Sequence, residues 1–128
     1  MGAHNPTRDF SYVKDTVTGF IAALEAESIF GETINLGTNQ EMSIKAMAET
    51  IANLMGKEIE FSLDPKRIRP PKSEVNRLRA DNRKALKLLN WKPKYIGQKG
   101  LKIALTETID WFLDETNLKK YNYDRYNI

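Results

Sequence analysis

The sequence predicts a small α+β domain of about four helices and two or three short strands, and three features predict it. Apolar residues recur every three or four positions in four separate stretches, the rhythm of one helix face turned to a core. Two shorter runs alternate apolar and polar residues, as half-buried strands do. Glycine, proline and asparagine punctuate the joints between them. At 128 residues the chain is the size of one domain, spanning 1–128, and is long enough to bury a core.

The first helix is expected from Tyr12 to about Glu27. Val13, Val17, Phe20 or Ile21, and Leu24 fall on one face, the side to be buried. Tyr12 and Asp15 read as structural residues that pack and cap this helix. Gly19 in its middle costs roughly 1 kcal/mol against Ala, which points to close approach of another backbone. Gly31 closes a turn, and Glu32–Leu36 reads as a short strand ended by Gly37.

Ser43 is a good N-cap, because its hydroxyl can accept from a free backbone N–H two or three residues on. The second helix follows as Ile44–Met55, with Ile44, Met47, Ala48, Ile51, Leu54 and Met55 as its stripe and Gly56 as a left-handed stop. Glu58–Leu63 alternates and reads as a half-buried strand. Pro65, Pro70 and Pro71 keep the next segment extended.

Asp81 caps a short helix through Leu89 that turns Ala85, Leu88 and Leu89 inward. Asn90 stands where Gly commonly ends a helix, Trp91 is a core residue, and Pro93 prevents a restart. The last helix, about Gly100–Glu115, carries Leu101, Leu105, Thr108, Ile109 and Phe112 on one face, with Trp111 close by. The tail from Asn117 has no helical rhythm and is expected to fray, as is His4 near the other end.

Composition removes several chemistries. With no cysteine there is no disulfide framework, thiolate nucleophile or cysteine-ligated metal, and the single histidine, His4, cannot form a metal cluster. No apolar run approaches membrane-spanning length, and the first ten residues lack the layout of a secretory signal. A cytoplasmic protein with no membrane partner is expected. No glycine-rich dinucleotide fingerprint, phosphate-binding loop of the Walker type or GxSxG elbow occurs, so no cofactor-binding, metal-binding or catalytic residue is assigned. Charge is uneven: from Lys66 to Lys94 eleven Lys or Arg face only Glu74 and Asp81, and the rest of the chain is net acidic. One face therefore suits an anionic partner.

Three stretches, in order, carry a resemblance. Thr7-Arg8-Asp9-Phe10-Ser11-Tyr12-Val13-Lys14-Asp15 runs into a helix containing Gly19-Phe20. Gly31-Glu32-Thr33-Ile34-Asn35-Leu36-Gly37 leads to Ser43-Ile44. Arg69-Pro70 precedes Ala80-Asp81-Asn82-Arg83-Lys84-Ala85 and Leu89-Asn90-Trp91-Lys92-Pro93. From Thr7 to about Leu113 the chain resembles the C-terminal part of the NAD-dependent epimerase/dehydratase family, the extended short-chain dehydrogenases acting on nucleotide sugars. Within that family, Arg69–Val75 is most similar to 4,6-dehydratases of bacterial surface-sugar pathways.

The resemblance implies α/β parentage. The chain would be the small α+β C-terminal substrate-binding subdomain of an extended Rossmann-fold enzyme, with the Rossmann NAD domain and the catalytic Tyr/Lys pair having no counterpart here. The parent enzyme would oxidise a nucleotide-linked hexose at C4 with NAD, then act as a dehydratase or an epimerase, while this chain alone binds no cofactor and is inactive. Arg8 and Arg69 would hold the substrate diphosphate with Glu74 beside the ligand, and guanidinium forks do match phosphate oxygens. Lys72 stands where the family often has an Asp near the ribose, and Asn90 where it has Gly. The implied partners are a nucleotide-diphosphate sugar, the missing Rossmann domain, and a second copy meeting the apolar surface meant for that domain.

Plainer readings stand beside these. Arg8 could pair with Asp9 or Asp15, and Arg77, Arg79, Arg83, Lys84 and Lys87 could form a solvated helix face. Asn35 and Gly37 would simply end a strand. The second functional reading is a non-catalytic basic module. Ile96-Gly97-Gln98-Lys99-Gly100 resembles the GxxG loop of RNA-binding KH domains, although no strand pattern follows Gly100.

Overall fold

In the computed structural model, which describes residues 4–65 and 75–119, the chain begins with its central strand. Thr7–Arg8 (β1) runs antiparallel to Met42–Ser43 (β2), with Thr7 opposite Ser43 and Arg8 opposite Met42. The pairing continues beyond the strands: Ile44 N donates to Pro6 O at 3.1 Å and Lys45 N to His4 O at 2.9 Å. On the other side of β1, Thr7 N donates to Asn76 O at 2.8 Å and Leu78 N to Thr7 O at 3.1 Å, making a parallel bridge with Arg77. His4 is thus held by its carbonyl, and its ring stacks on Phe61 at 5.6 Å, so the expected fraying does not occur there.

The first helix, α1, spans Val13–Glu25. Its orientation reverses the expectation. Val13, Val17, Phe20, Ile21 and Leu24 face outward, Phe20 68% and Leu24 87% exposed, while Asp15 and Gly19 are buried. Two contacts turn the helix this way: Asp15 collects backbone N–H groups, and Gly19 leaves room for Leu36. A Cβ on Gly19 would lie 2.6 Å from Leu36 Cδ1, so the close neighbour is a side chain and not a backbone.

The second helix, α2 (Ile44–Leu54), forms as its cap dictates, with Ser43 Oγ accepting from Ala46 N at 3.0 Å and Gly56 following at φ +61°. Arg83–Leu89 (α3) has Asn82 at its N-cap. Asp81, one residue earlier than a cap, accepts from Arg83 N at 3.0 Å, and Asn90 closes the helix at φ +49°. Gly97–Leu113 (α4) starts three residues before the expected Gly100, and Glu115–Leu118 (α5) follows, started by Asp114 accepting from Thr116 N at 2.8 Å.

Packing pairs α1 with α3 and α2 with α4. Among the described residues Met47, Ala52, Ala85, Trp91 and Ala104 form the buried apolar core, and Trp91 Nε1 donates to Thr18 Oγ1 at 3.0 Å. The α+β class and the four main helices match the sequence, but the two predicted strands do not form. Glu32–Leu36 and Glu58–Leu63 belong to no sheet, because among the described residues both sides of β1 are already occupied by 42–43 and 76–78. The tail from residue 120 lies outside the described residues.

Candidate functional site

The site grows from the end of β1. Arg8, half-buried, donates from Nη1 to Thr7 O at 2.8 Å and Val75 O at 2.7 Å, which fixes its guanidinium on the backbone. It lines a cavity of about 260 Å³ walled by Phe10, Met47, Tyr95 and Leu101, with Thr38, Gln40, Gln98 and the Glu41 carboxylate as its other polar groups. Arg8 supplies a cation and the aromatic walls a stacking surface for an organic anion, while the charge of Glu41 is matched by Arg77.

Asp9, the next residue, is the joint that makes this geometry. Its Oδ1 accepts from Thr38 N at 2.9 Å and Thr38 Oγ1 at 2.5 Å, and its Oδ2 from Asn39 N at 3.0 Å and Ala80 N at 3.2 Å. Three stretches far apart in sequence therefore meet on one carboxylate. Gly37 must be small here, since a Cβ would stand 2.4 Å from Ala80 Cβ, and its carbonyl accepts from Asn82 Nδ2 at 2.8 Å. Asn39 completes the turn at φ +58°.

Asp15 is the second joint, accepting from Lys94 N at 2.8 Å and Tyr95 N at 3.0 Å. Its role is to tie the chain after Trp91 to α1, where a helix cap was expected. Tyr95 so held packs edge-on against Tyr12 at 4.7 Å. Tyr12 Oη and Lys14 Nζ each donate to Glu107 at 2.6 Å, joining α1 to α4. Those two donors hold the Glu107 carboxyl below its ordinary value, Lys14 contributing most, and the bond to Glu107 raises the Tyr12 phenol.

At the cavity's other edge, Glu41 accepts from Thr7 Oγ1 at 2.6 Å and from both Nε and Nη2 of Arg77. Arg77 first, then Thr7, hold the Glu41 carboxyl down to about 2. Arg77 therefore braces β1 and lies on no helix, Arg83 pairs with Asp81, and Lys84 Nζ meets Glu32 at 2.5 Å; these cations are solvated, as expected, and three of them also carry surface ion pairs.

Of the residues expected to bind substrate, Arg8 lies at the cavity, while Arg69 and Glu74, like Lys72, fall outside the described residues. The Gly97–Gly100 stretch is no loop. It forms the first turn of α4, where Gly97 N donates to Gln40 Oε1 at 2.8 Å and a Cβ on Gly100 would lie 2.5 Å from the Tyr95 carbonyl carbon. Gly100 is packed too closely there for any side chain.

Sequence reasoning missed Asp9, whose signal was its place beside Arg8 at a strand end. It also passed over Tyr95 and Lys99, which have the four-residue spacing of a dehydrogenase Tyr/Lys pair. Tyr95 precedes α4 while Lys99 lies within it, so the two do not share a helix face, and the Tyr95 ring is engaged with Tyr12.

A small α+β unit whose three motif stretches converge beside a cavity-lining arginine defines a class that the comparisons identify. The profile of the family described as GDP-mannose 4,6 dehydratase matches residues 1–104, and the chain belongs to that family, among the NAD-dependent epimerases and dehydratases of the extended short-chain dehydrogenase class. It is 33% identical over 121 residues to a UDP-glucuronate 4-epimerase of Thermodesulfobacterium geofontis, covering 94% of this chain and 34% of that protein. It is 33% identical over 114 residues to UDP-glucuronic acid decarboxylase 1 of Xenopus tropicalis, covering 89% of this chain and 25% of that protein.

Among solved structures, an epimerase of Methanothermobacter thermautotrophicus superposes with TM-score 0.76 at 29% identity, over 92% of this chain and 33% of its own. The UDP-glucuronic acid 4-epimerase of Bacillus cereus, in complex with UDP-glucuronic acid and NAD, superposes with TM-score 0.74 at 28% identity, over 90% of this chain and 34% of its own. The chain thus spans about a third of the length of such proteins and corresponds to the C-terminal portion of the extended fold. Among the described residues no helix is long and apolar enough to cross a membrane, and no three His, Asp or Glu group as a metal site.

Proposed function

We propose that these residues form one domain, 1–128, that grips the diphosphate of a nucleotide sugar through Arg8 and Arg69, with Glu74 beside the ligand. The domain works as part of an NAD-dependent 4,6-dehydratase or epimerase in cytoplasmic polysaccharide-precursor synthesis. NAD and the acid–base pair that moves the C4 hydride belong to the other portion of the fold. The observation that carries the reading is the placement of Arg8 at the mouth of a cavity where three motif stretches meet on Asp9. Its guanidinium is also anchored to the carbonyl of Val75, in the segment that leads back along the chain to Glu74 and Arg69. The partners are the nucleotide sugar and the remainder of the fold, without membrane or nucleic acid.

An amide chemical-shift titration of the 128-residue chain with UDP, GDP and dTDP tests this. Shifts should cluster around Arg8 and favour one base. Arg8→Ala should weaken binding by about 10- to 100-fold, the loss of one charge-assisted contact of about 1.5–3 kcal/mol. Binding unchanged in Arg8→Ala, or shifts confined to α5, would overturn the proposal.

A further inference from the structure

Helices α2 and α4 pack side by side in the same direction, and the two ends of the pair differ in character. Near their starts Met47 and Leu101 wall the cavity of Arg8, beside polar groups. At their far ends a second cavity of about 270 Å³ lies between them, lined by Ile51 and Met55 on one side and by Thr108, Ile109, Phe112 and Leu113 on the other. Thr108 brings the only polar side chain of this lining, and its hydroxyl already donates to Ala104 O at 2.8 Å. The groove therefore offers an occupant neither charge nor hydrogen bond, and suits apolar or aromatic side chains. Its rim meets water, with Met55 43% and Leu113 66% exposed.

The chain itself arrives at this place. After Asp114 the short helix α5 lies against α4, Asn117 Nδ2 donating to Trp111 O at 3.2 Å, and Lys119 is the last described residue. So short a helix advances only about 6 Å, which keeps Lys119 within about 12 Å of Leu113 at the groove's end. The nine residues that follow in the sequence, 120–128, fall outside the described residues. Within them Tyr121 and Tyr123 alternate with Asn122 and Asp124, and Tyr126 and Ile128 flank Asn127. An extended chain turns such alternating residues to one side. Two of them stand about 7 Å apart, close to the roughly 7.5 Å that the helix advances from Thr108 to Leu113.

We propose that residues 120–128 turn back in extended form and lay Tyr121 and Tyr123 into the groove between α2 and α4. Each ring packs among Met55, Ile109 and Leu113 while its hydroxyl stays at the wet rim, a division that suits an apolar ring with a polar tip. Phe112, edge-on to Trp111 at 4.9 Å, adds an aromatic shelf beside them. This segment is preferred to a second copy because it leaves α5 only two residues before Tyr121. Docking it costs the ordering of one short stretch, whereas a second copy also loses translational and rotational freedom.

The test is nuclear magnetic resonance and melting of the 128-residue chain. Nuclear Overhauser effects should join ring protons of Tyr121 or Tyr123 to methyl groups of Met55, Ile109 or Leu113. Ending the chain at Lys119 should shift those methyl signals and lower the thermal midpoint by about five degrees. The rim variant Met55→Ser, Leu113→Ser should lower the midpoint of the full chain more than that of the shortened one, since both changes remove the same contact. Absence of every ring-to-methyl effect overturns the proposal. So do strictly additive midpoint losses, which would leave the groove to an occupant outside this chain. The effects are measured again in an equal mixture of methyl-labelled and unlabelled copies, and contacts that arise only between copies give the groove to a second copy and overturn it too. Should the shortened chain not fold, the ring-to-methyl effects of the full chain decide alone. None of these readouts involves the diphosphate, so failure here leaves Arg8 untouched, and failure at Arg8 leaves this groove standing.

Discussion

Two aspartates gather backbone N–H groups around the cavity that Arg8 lines. Asp15 is only 2% exposed, and its two oxygens accept from consecutive backbone N–H groups, those of Lys94 and Tyr95. An alanine there would leave both N–H donors without their protein partner, a loss of about 1 kcal/mol or more apiece. Asp15→Ala should therefore lower the thermal midpoint by ten degrees or so, and Asp15→Asn, which keeps one acceptor, by roughly half as much. Thermal melting followed by circular dichroism checks both, and equal midpoints for the two variants would contradict the two-bond account. Gly37 is constrained by space in the same way. Gly37→Ala sets a Cβ 2.4 Å from Ala80 Cβ and 3.1 Å from Asp9 Oδ2, and should cost about 1–3 kcal/mol. Because Asp9 is among the neighbours that must give way, nucleotide affinity at Arg8 should fall along with stability, and a titration on the folded variant measures that coupling.

Among the elements, β1 has only two residues but is bonded on both edges, and Glu41 clamps it through Thr7 and Arg77. The folded carboxyl, at about 2, lies below the ordinary 4.5, so its contribution is complete above that ordinary value and disappears as pH falls through about 2. Stability of the native chain should decline over that interval more than that of Glu41→Gln, and melts collected from about pH 7 to about pH 2 give the comparison. The helices were legible because their evidence is local: Ser43 capping α2 and Asn90 stopping α3 act within one turn. The strands were not legible, because a strand is made by its neighbour. Thr33-Ile34-Asn35-Leu36 alternates correctly but has no ladder, whereas Thr7-Arg8 carries no alternation and sits between two. The direction of α1 was misread for a related reason. Periodicity located its apolar stripe, but Asp15 and Gly19, through partners more than fifteen residues away, settled which side faces inward. Arg8 was singled out through its motif and lines the cavity, whereas Asp9 showed its role only when Thr38, Asn39 and Ala80 converged on it.

At the scale of the whole molecule, hydride transfer sets two requirements. Oxidising a sugar carbinol requires a nicotinamide held beside it and a base within hydrogen-bond reach of the hydroxyl. The 128 residues contain no glycine-rich turn to seat a dinucleotide, and the one Tyr/Lys spacing, Tyr95 and Lys99, straddles the start of α4 with the tyrosine ring packed on Tyr12. Binding and chemistry should therefore separate cleanly. Incubated with NAD and UDP-glucose, UDP-glucuronic acid or GDP-mannose, the chain should form no 4-keto sugar, even at concentrations where UDP shifts the amides around Arg8. Joined to a competent NAD-binding portion, as in a chimera in which it replaces the matched third of the Thermodesulfobacterium epimerase, it should support turnover, and Arg8→Ala should then raise KM by about 10- to 100-fold with a smaller effect on kcat, because the proposed diphosphate contact, remote from C4, would act mainly on binding. A 4-keto product from the isolated chain would instead place a complete active site within these residues, and Tyr95 would be the first group to substitute.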